Sequence, residues 1–240
     1  MSMRAITAQT VVETKLTLRR GESLLVTLGI PVGILVFFSR LDAAVTGASL
    51  EFLVPGVFAI AVMSSAMVSL GIATGFERRF GVLKRLGSTP LARRGLLWAK
   101  VGNVLCIQVL QLGVLIGVAA LLGYRFTSGL IPALAFLTLG SIAFAGIGMF
   151  LAGTLRADAN LAVVNALFLI FVFLGGMAYP LDKLPNTLAA VAQCFPAAAL
   201  ATLVRNAMNG AAMSWSALGI LAAWAVVMYA LTVRTFRWEE

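Results

Sequence analysis

The chain has 240 residues, 61% of them hydrophobic and 11% charged, with a mean hydropathy of +1.01 and a formal net charge of +9. Soluble globular domains are about half apolar or less, so the composition excludes that class and marks an all-α polytopic membrane protein. The basic pI near 10.6 does not argue for nucleic acid, because the Lys and Arg residues cluster at the ends of apolar runs, where membrane orientation and anionic headgroups account for them.

In chain order, residues 1–22 are too polar to span a membrane. Ala5, Ala8, Val12 and Leu16 recur at helical spacing while Lys15 and Arg19 share another side. The pattern reads as an amphipathic helix on the inner membrane surface, with a merely solvated lead as the alternative. No small-residue cleavage site follows a short apolar core, so a cleaved signal peptide is not expected. Six spans follow, over 23–39, 53–76, 97–123, 130–154, 160–178 and 215–233, each near the about 20 residues a helix needs to cross a bilayer. With both termini inside, fourteen of the eighteen Lys and Arg fall on the cytoplasmic side, and Arg40, Arg125, Lys183 and Arg205 fall outside. Pro31 and Pro55 would bend their spans. The G-x-x-x-G pairs Gly71/Gly75 and Gly113/Gly117 would permit close helix contact.

Before the last span, residues 180–210 are apolar but broken by Pro180, Pro185 and Pro196 into pieces too short to cross singly. They read as a re-entrant pair of short helices on the outer side. The alternative, one extra span, would put the C-terminus outside and set Arg234 and Arg237 against the charge rule. Cys106 and Cys194 have neither metal spacing nor a persuasive disulfide partner and read as packing residues.

Several chemistries are missing. The chain has no histidine, which excludes a Ser-His hydrolase and most zinc sites. All nine carboxylates fall at loops or span edges, which argues against transport coupled through buried acids. No G-x-x-x-x-G-K-[ST] motif is present to bind ATP. Asn103, Gln108 and Gln111 share a broad face of the third span and Asn165 lies on the fifth. These amides would either line a substrate pathway or bond neighbouring helices. An intramembrane lipid-modifying enzyme would have to use Ser64, Ser65 or Ser141 as nucleophile, and a secondary transporter or channel would need midplane ion ligands that the sequence does not offer.

The most informative segment lies over 77–96, where seven Lys and Arg accumulate by Lys100: E-R-R-F-G-V-L-K-R-L-G-S-T-P-L-A-R-R-G-L-L-W-A-K. Gly81, Gly87 and Pro90 punctuate a short amphipathic helix carrying Val82, Leu83 and Leu86 beside Lys84 and Arg85. It either orients the protein or serves as a coupling helix gripped by a cytoplasmic partner. The stretch resembles the loop of type-2 ABC exporter permeases, including the daunorubicin-resistance group, in which an acid closes the second span, a Gly follows, and a Leu-x-x-Thr-Pro turn with basic residues precedes the third. By this resemblance Glu77, Gly81, Leu86, Thr89, Pro90 and Arg93 occupy the coupling positions.

The resemblance implies a membrane subunit in a bacterial inner membrane that pairs with a second copy of itself or a related permease. It also implies two separate ATP-binding cassette subunits, which carry the ATP and Mg, while this chain binds no cofactor. An apolar pathway without buried charge favours an amphiphilic or lipid-like cargo.

Overall fold

The computed structural model describes residues 3–19, 21–40, 49–87, 93–126 and 129–237, and among them every regular element is helical. The elements are α1 (Met3–Arg19), α2 (Gly21–Arg40), α3 (Leu50–Arg79), α4 (Val82–Gly87), α5 (Arg93–Leu121), α6 (Leu130–Thr154), α7 (Ala157–Leu174), α8 (Asn186–Gln193), α9 (Pro196–Met208) and α10 (Trp215–Thr235). Five of them, α3, α5, α6, α7 and α10, are long and apolar enough to cross a membrane, and the bent pair α8–α9 would make a sixth crossing if it counts as one span. The expected first span is present as the 20-residue helix α2, which carries Pro31 within it. Thr89 and Pro90 of the expected coupling turn lie outside the described residues.

α6 is the central post. It packs against α10, α3 and α9, and its glycines make this possible. A Cβ on Gly140 would fall 2.7 Å from the Leu200 side chain, and one on Gly146 would fall 2.9 Å from Met228. α3 is the most enclosed span, whereas α7 and α10 turn most of their apolar surface outward, as lipid-facing helices do. Of the two G-x-x-x-G pairs, Gly71 and Gly75 make close contacts, against Gly148 and Asn160. Nothing lies within 4 Å of a Cβ at Gly113 or Gly117.

Sequence periodicity gives no warning of the π-helical segment Ser64–Ser69 in the middle of α3. Gly148 of α6 packs against this segment so closely that a Cβ there would sit 2.6 Å from the Met67 carbonyl oxygen. Such single-turn widenings concentrate at functional sites. α8 and α9 meet at an 86° bend in which Pro196 takes the first helical position of α9, where its missing N–H costs nothing. The broken segment before the last span is therefore present as expected. Cys106 and Cys194, read from the sequence as packing residues, are both exposed.

Candidate functional site

The end of the bundle that carries the basic loop holds the densest polar network. α3 stops at Arg79, and Gly81 turns the chain with φ of 71°, a left-handed conformation that glycine adopts without strain. α4 then lies against the protein through Leu83, which shares a small apolar cluster with Leu96 of α5 and Phe236, flanked by Ala5, Ile6 and Leu86. Its other side is open: Phe80 is 71% exposed and stacks on Phe76, and Val82, Lys84 and Arg85 are exposed as well.

Glu77 sits two residues before α3 ends, and its carboxylate points into the protein. Its Oε2 lies 2.7 Å from Nζ of Lys100 on α5. The same ammonium lies 3.4 Å from Oε1 of Glu13 on α1. Lys100 is 2% exposed, which its charge tolerates because two carboxylates surround it. Three elements far apart in sequence thus meet at one cation. Around them Gln9 Nε2 donates to Glu13 Oε1 at 3.0 Å, the Thr10 hydroxyl donates to the Ala99 carbonyl at 3.2 Å, and Asn103 Nδ2 donates to the Thr17 hydroxyl at 3.4 Å. A cavity of about 100 Å³ opens beside the triad, lined by Glu13, Glu77, Lys100, Asn103, Ser65 and Ser69 among others.

α1 is amphipathic in an unusual sense. Met3, Val11, Val12, Leu16 and Leu18 are exposed, and Glu13 is its one buried residue among those described. Arg4, Lys15 and Arg19 are exposed on the same side as Val12 and Leu16, which corrects the expected separation of basic and apolar faces; the outward face is mixed apolar and basic, as suits a helix at a membrane surface, and the acid faces into the protein.

A second fastening joins α3 to the link between α6 and α7 and to the first turn of α7. Arg78, 4% exposed, donates through Nη2 to the Leu155 carbonyl. Arg79 Nη1 contacts both carboxylate oxygens of Asp158, at 2.9 and 3.0 Å, and Asn160 Nδ2 donates to the Gly71 carbonyl at 2.9 Å.

The four amides singled out from sequence are spread along the bundle rather than gathered. Gln111 donates to the Thr27 carbonyl at 2.8 Å, Gln108 accepts from the Ser141 hydroxyl, and Asn165 bonds the Leu161 carbonyl of its own helix at 2.8 Å. Asn103 alone of the four borders the cavity. Of the coupling positions, Glu77, Gly81 and Leu86 come together at the loop and Arg93 opens α5. Sequence reasoning missed Glu13 and Lys100 as a pair with Glu77. The available signal was a lysine inside the third span, since an ionisable residue there demands a named counter-ion. Ser65 and Ser141 spend their hydroxyls on oxygen acceptors, the Val62 carbonyl for Ser65 and Gln108 and the Leu137 carbonyl for Ser141, which does not resemble an activated nucleophile.

The model of the ABC-2 family transporter protein matches residues 11–234. This chain belongs to the ABC-2 transporter family. A Bacillus subtilis (strain 168) protein named "Putative transport permease YvfS" is 24% identical over 248 residues, covering 99% of each chain. The ABC-2 permease is thus a multi-pass membrane protein and a transporter membrane subunit, of a family whose members in general assemble as dimers with an ATP-binding partner.

Proposed function

We propose that this permease is the membrane subunit of an ATP-driven exporter that moves an amphiphilic or lipid-like substrate out of the cytoplasm or the inner leaflet. Two ATP-binding cassette subunits engage the exposed side of α4 together with Phe80, and two permease copies form the pathway in a bacterial inner membrane with both termini and the basic loop inside. The observation that carries this reading is the position of Glu77: it ends α3, precedes the exposed loop helix, and is held by a buried cation, so displacement of α4 is passed to the spans instead of being absorbed by a slack loop. Exposed Phe80 and Val82 beside Lys84 and Arg85 supply the mixed apolar and basic surface that a docking groove takes. Gly81, Leu86, Thr89, Pro90 and Arg93 are the remaining coupling positions of this reading. ATP and Mg belong to the partner.

The test is co-expression with candidate ATPase subunits, purification by a tag on the permease alone, and vanadate-sensitive ATP hydrolysis in lipid, with and without Glu77→Gln. Co-purification with hydrolysis that falls in the variant is the expected result. A Glu77→Lys change would face a second ammonium toward Lys100, so it also needs an insertion check before its activity is interpreted. Absence of both partner and hydrolysis would overturn the motor-driven reading in favour of a motor-independent transporter.

A further inference from the structure

We propose that Glu13 is a positioning residue of the transport cycle, binding α1 through Lys100 to the ends of α3 and α5 so that the three move as one body. The inference rests on the motor-driven reading above and extends it to a helix outside the loop motif.

Five apolar residues of α1 are exposed while its acid is the one enclosed residue among those described, so Glu13 seats the middle of the helix on the protein, with Ala5 and Ile6 packing its start against the Leu83, Leu96 and Phe236 cluster. A buried ion pair is a poor device for stability alone, because well-packed apolar residues of similar volume usually do as well or better. What an ion pair adds is direction: it selects one partner and one register. Here it joins α1 to the same ammonium that holds Glu77, the residue next to the loop helix. Two further contacts fix the register along the helix, Thr10 to Ala99 and Asn103 to Thr17, each roughly one turn from Glu13 on α1 and on opposite sides of it along the chain. Gly102 completes the seat. A Cβ there would lie 2.9 Å from Thr10 Oγ1, so the backbone of α5 and the side chain of Thr10 are in close contact. Force entering at α4 therefore reaches α1 through Glu77, Lys100 and Glu13 in turn.

The same close approach supplies the test. A Cβ on Gly102 would lie 3.6 Å from Thr10 Cβ, within the range that a disulfide accepts, and the pair Thr10→Cys with Gly102→Cys removes the two Thr10 atoms that would crowd it. Cys106 and Cys194, both exposed, are replaced by Ser beforehand. The rate of disulfide formation under a mild oxidant is followed in the purified complex without nucleotide and after vanadate trapping. Equal rates in the two states are expected, with continued vanadate-sensitive hydrolysis once the bond has formed. Adding Glu13→Gln should slow cross-linking severalfold in both states, and Glu13→Asp should recover part of the loss.

A rate that collapses on vanadate trapping, hydrolysis that stops on oxidation and returns with reductant, or Glu13→Gln cross-linking as fast as the parent would each overturn the proposal. If Glu13→Gln does not yield folded protein, the two states of the parent pair decide it. A complex with no vanadate-sensitive hydrolysis at all would count against the motor reading, while the comparison of Glu13→Gln with its parent in the nucleotide-free permease still tests the seat of α1.

Discussion

Replacing Lys100 by Met isolates the energetic role of the triad. The variant keeps a long unbranched side chain but removes the single cation, leaving the carboxylates of Glu13 and Glu77 facing one another across a small cavity. Removing one partner of a fully buried pair costs about 3–5 kcal/mol. Glu13 is 11% exposed and Glu77 28%, so water relieves part of the penalty and the lower end, about 3 kcal/mol, is the better expectation. At about 2–4 °C per kcal/mol for a chain of this length, thermal unfolding of the purified permease in detergent at neutral pH should fall by roughly 6–12 °C. Neutralising the acids as well, as Lys100→Met with Glu13→Gln and Glu77→Gln, removes the unpaired charge and should recover most of the loss, because replacing a whole buried ion group by neutral residues is often close to neutral. A Lys100→Met protein that melts with the parent, or a triple variant no more stable than the single one, would refute the reasoning that the ammonium is there to satisfy two buried carboxylates.

Two further predictions test the packing and the opposite end. Gly148→Ala should destabilise by about 1–3 kcal/mol in the same melting assay, since its Cβ would press on the Met67 carbonyl at 2.6 Å, whereas Gly113→Ala meets nothing within 4 Å and should be neutral or gain up to about 1 kcal/mol from helix propensity. Burial, and then the nearby Glu51 carboxylate, push the Tyr124 phenol above its ordinary value of 10.0. The folded state therefore holds this proton more tightly than the unfolded chain, and the associated stability is complete below pH 10 and lost as pH rises through the folded value. Absorbance titration of phenolate should show a late-ionising tyrosine that is missing in Tyr124→Phe.

The parts of the fold legible in the sequence are those set by local composition. Long apolar runs give α3, α5, α6, α7 and α10 within a few residues, because hydropathy alone fixes a helix that must satisfy its backbone internally. Pro196 announces the bend before α9 for an equally local reason. What sequence withholds is partner choice. Asn165 and Asn160 look equivalent by type and depth, yet Asn165 bonds its own helix while Asn160 is fully buried and reaches Gly71, a difference decided by which face of α7 meets α3. The π-helical turn over Ser64–Ser69 has no marker residue of its own, and the close approach of Gly148 comes from the distant α6. Glu77 is visible as the acid before the basic loop, but its inward orientation depends on Lys100, and that of Lys100 depends also on Glu13.

The two fastenings at this end of the bundle differ in what they hold. Arg78, Arg79 and Asn160 bind α3 to the link between α6 and α7 and to the first turn of α7 through a backbone carbonyl, an exposed ion pair and a buried amide. Lys100 binds α3 to α5 and α1 through charge in a buried site. The exposed Arg79–Asp158 pair is worth at most about 1 kcal/mol, so this fastening depends on the buried Arg78 guanidinium and the Asn160 amide, both bonded to carbonyl oxygens. α3 is therefore the element common to both sets of spans, and it is also the one that runs directly into the loop. Displacement of its end cannot be taken up locally, where it is tied on both sides. It must be accommodated farther along the helix, and the first place where the regular hydrogen-bond ladder is interrupted is Ser64–Ser69, beside the glycine contact with α6 and bordering the cavity through Ser65 and Ser69.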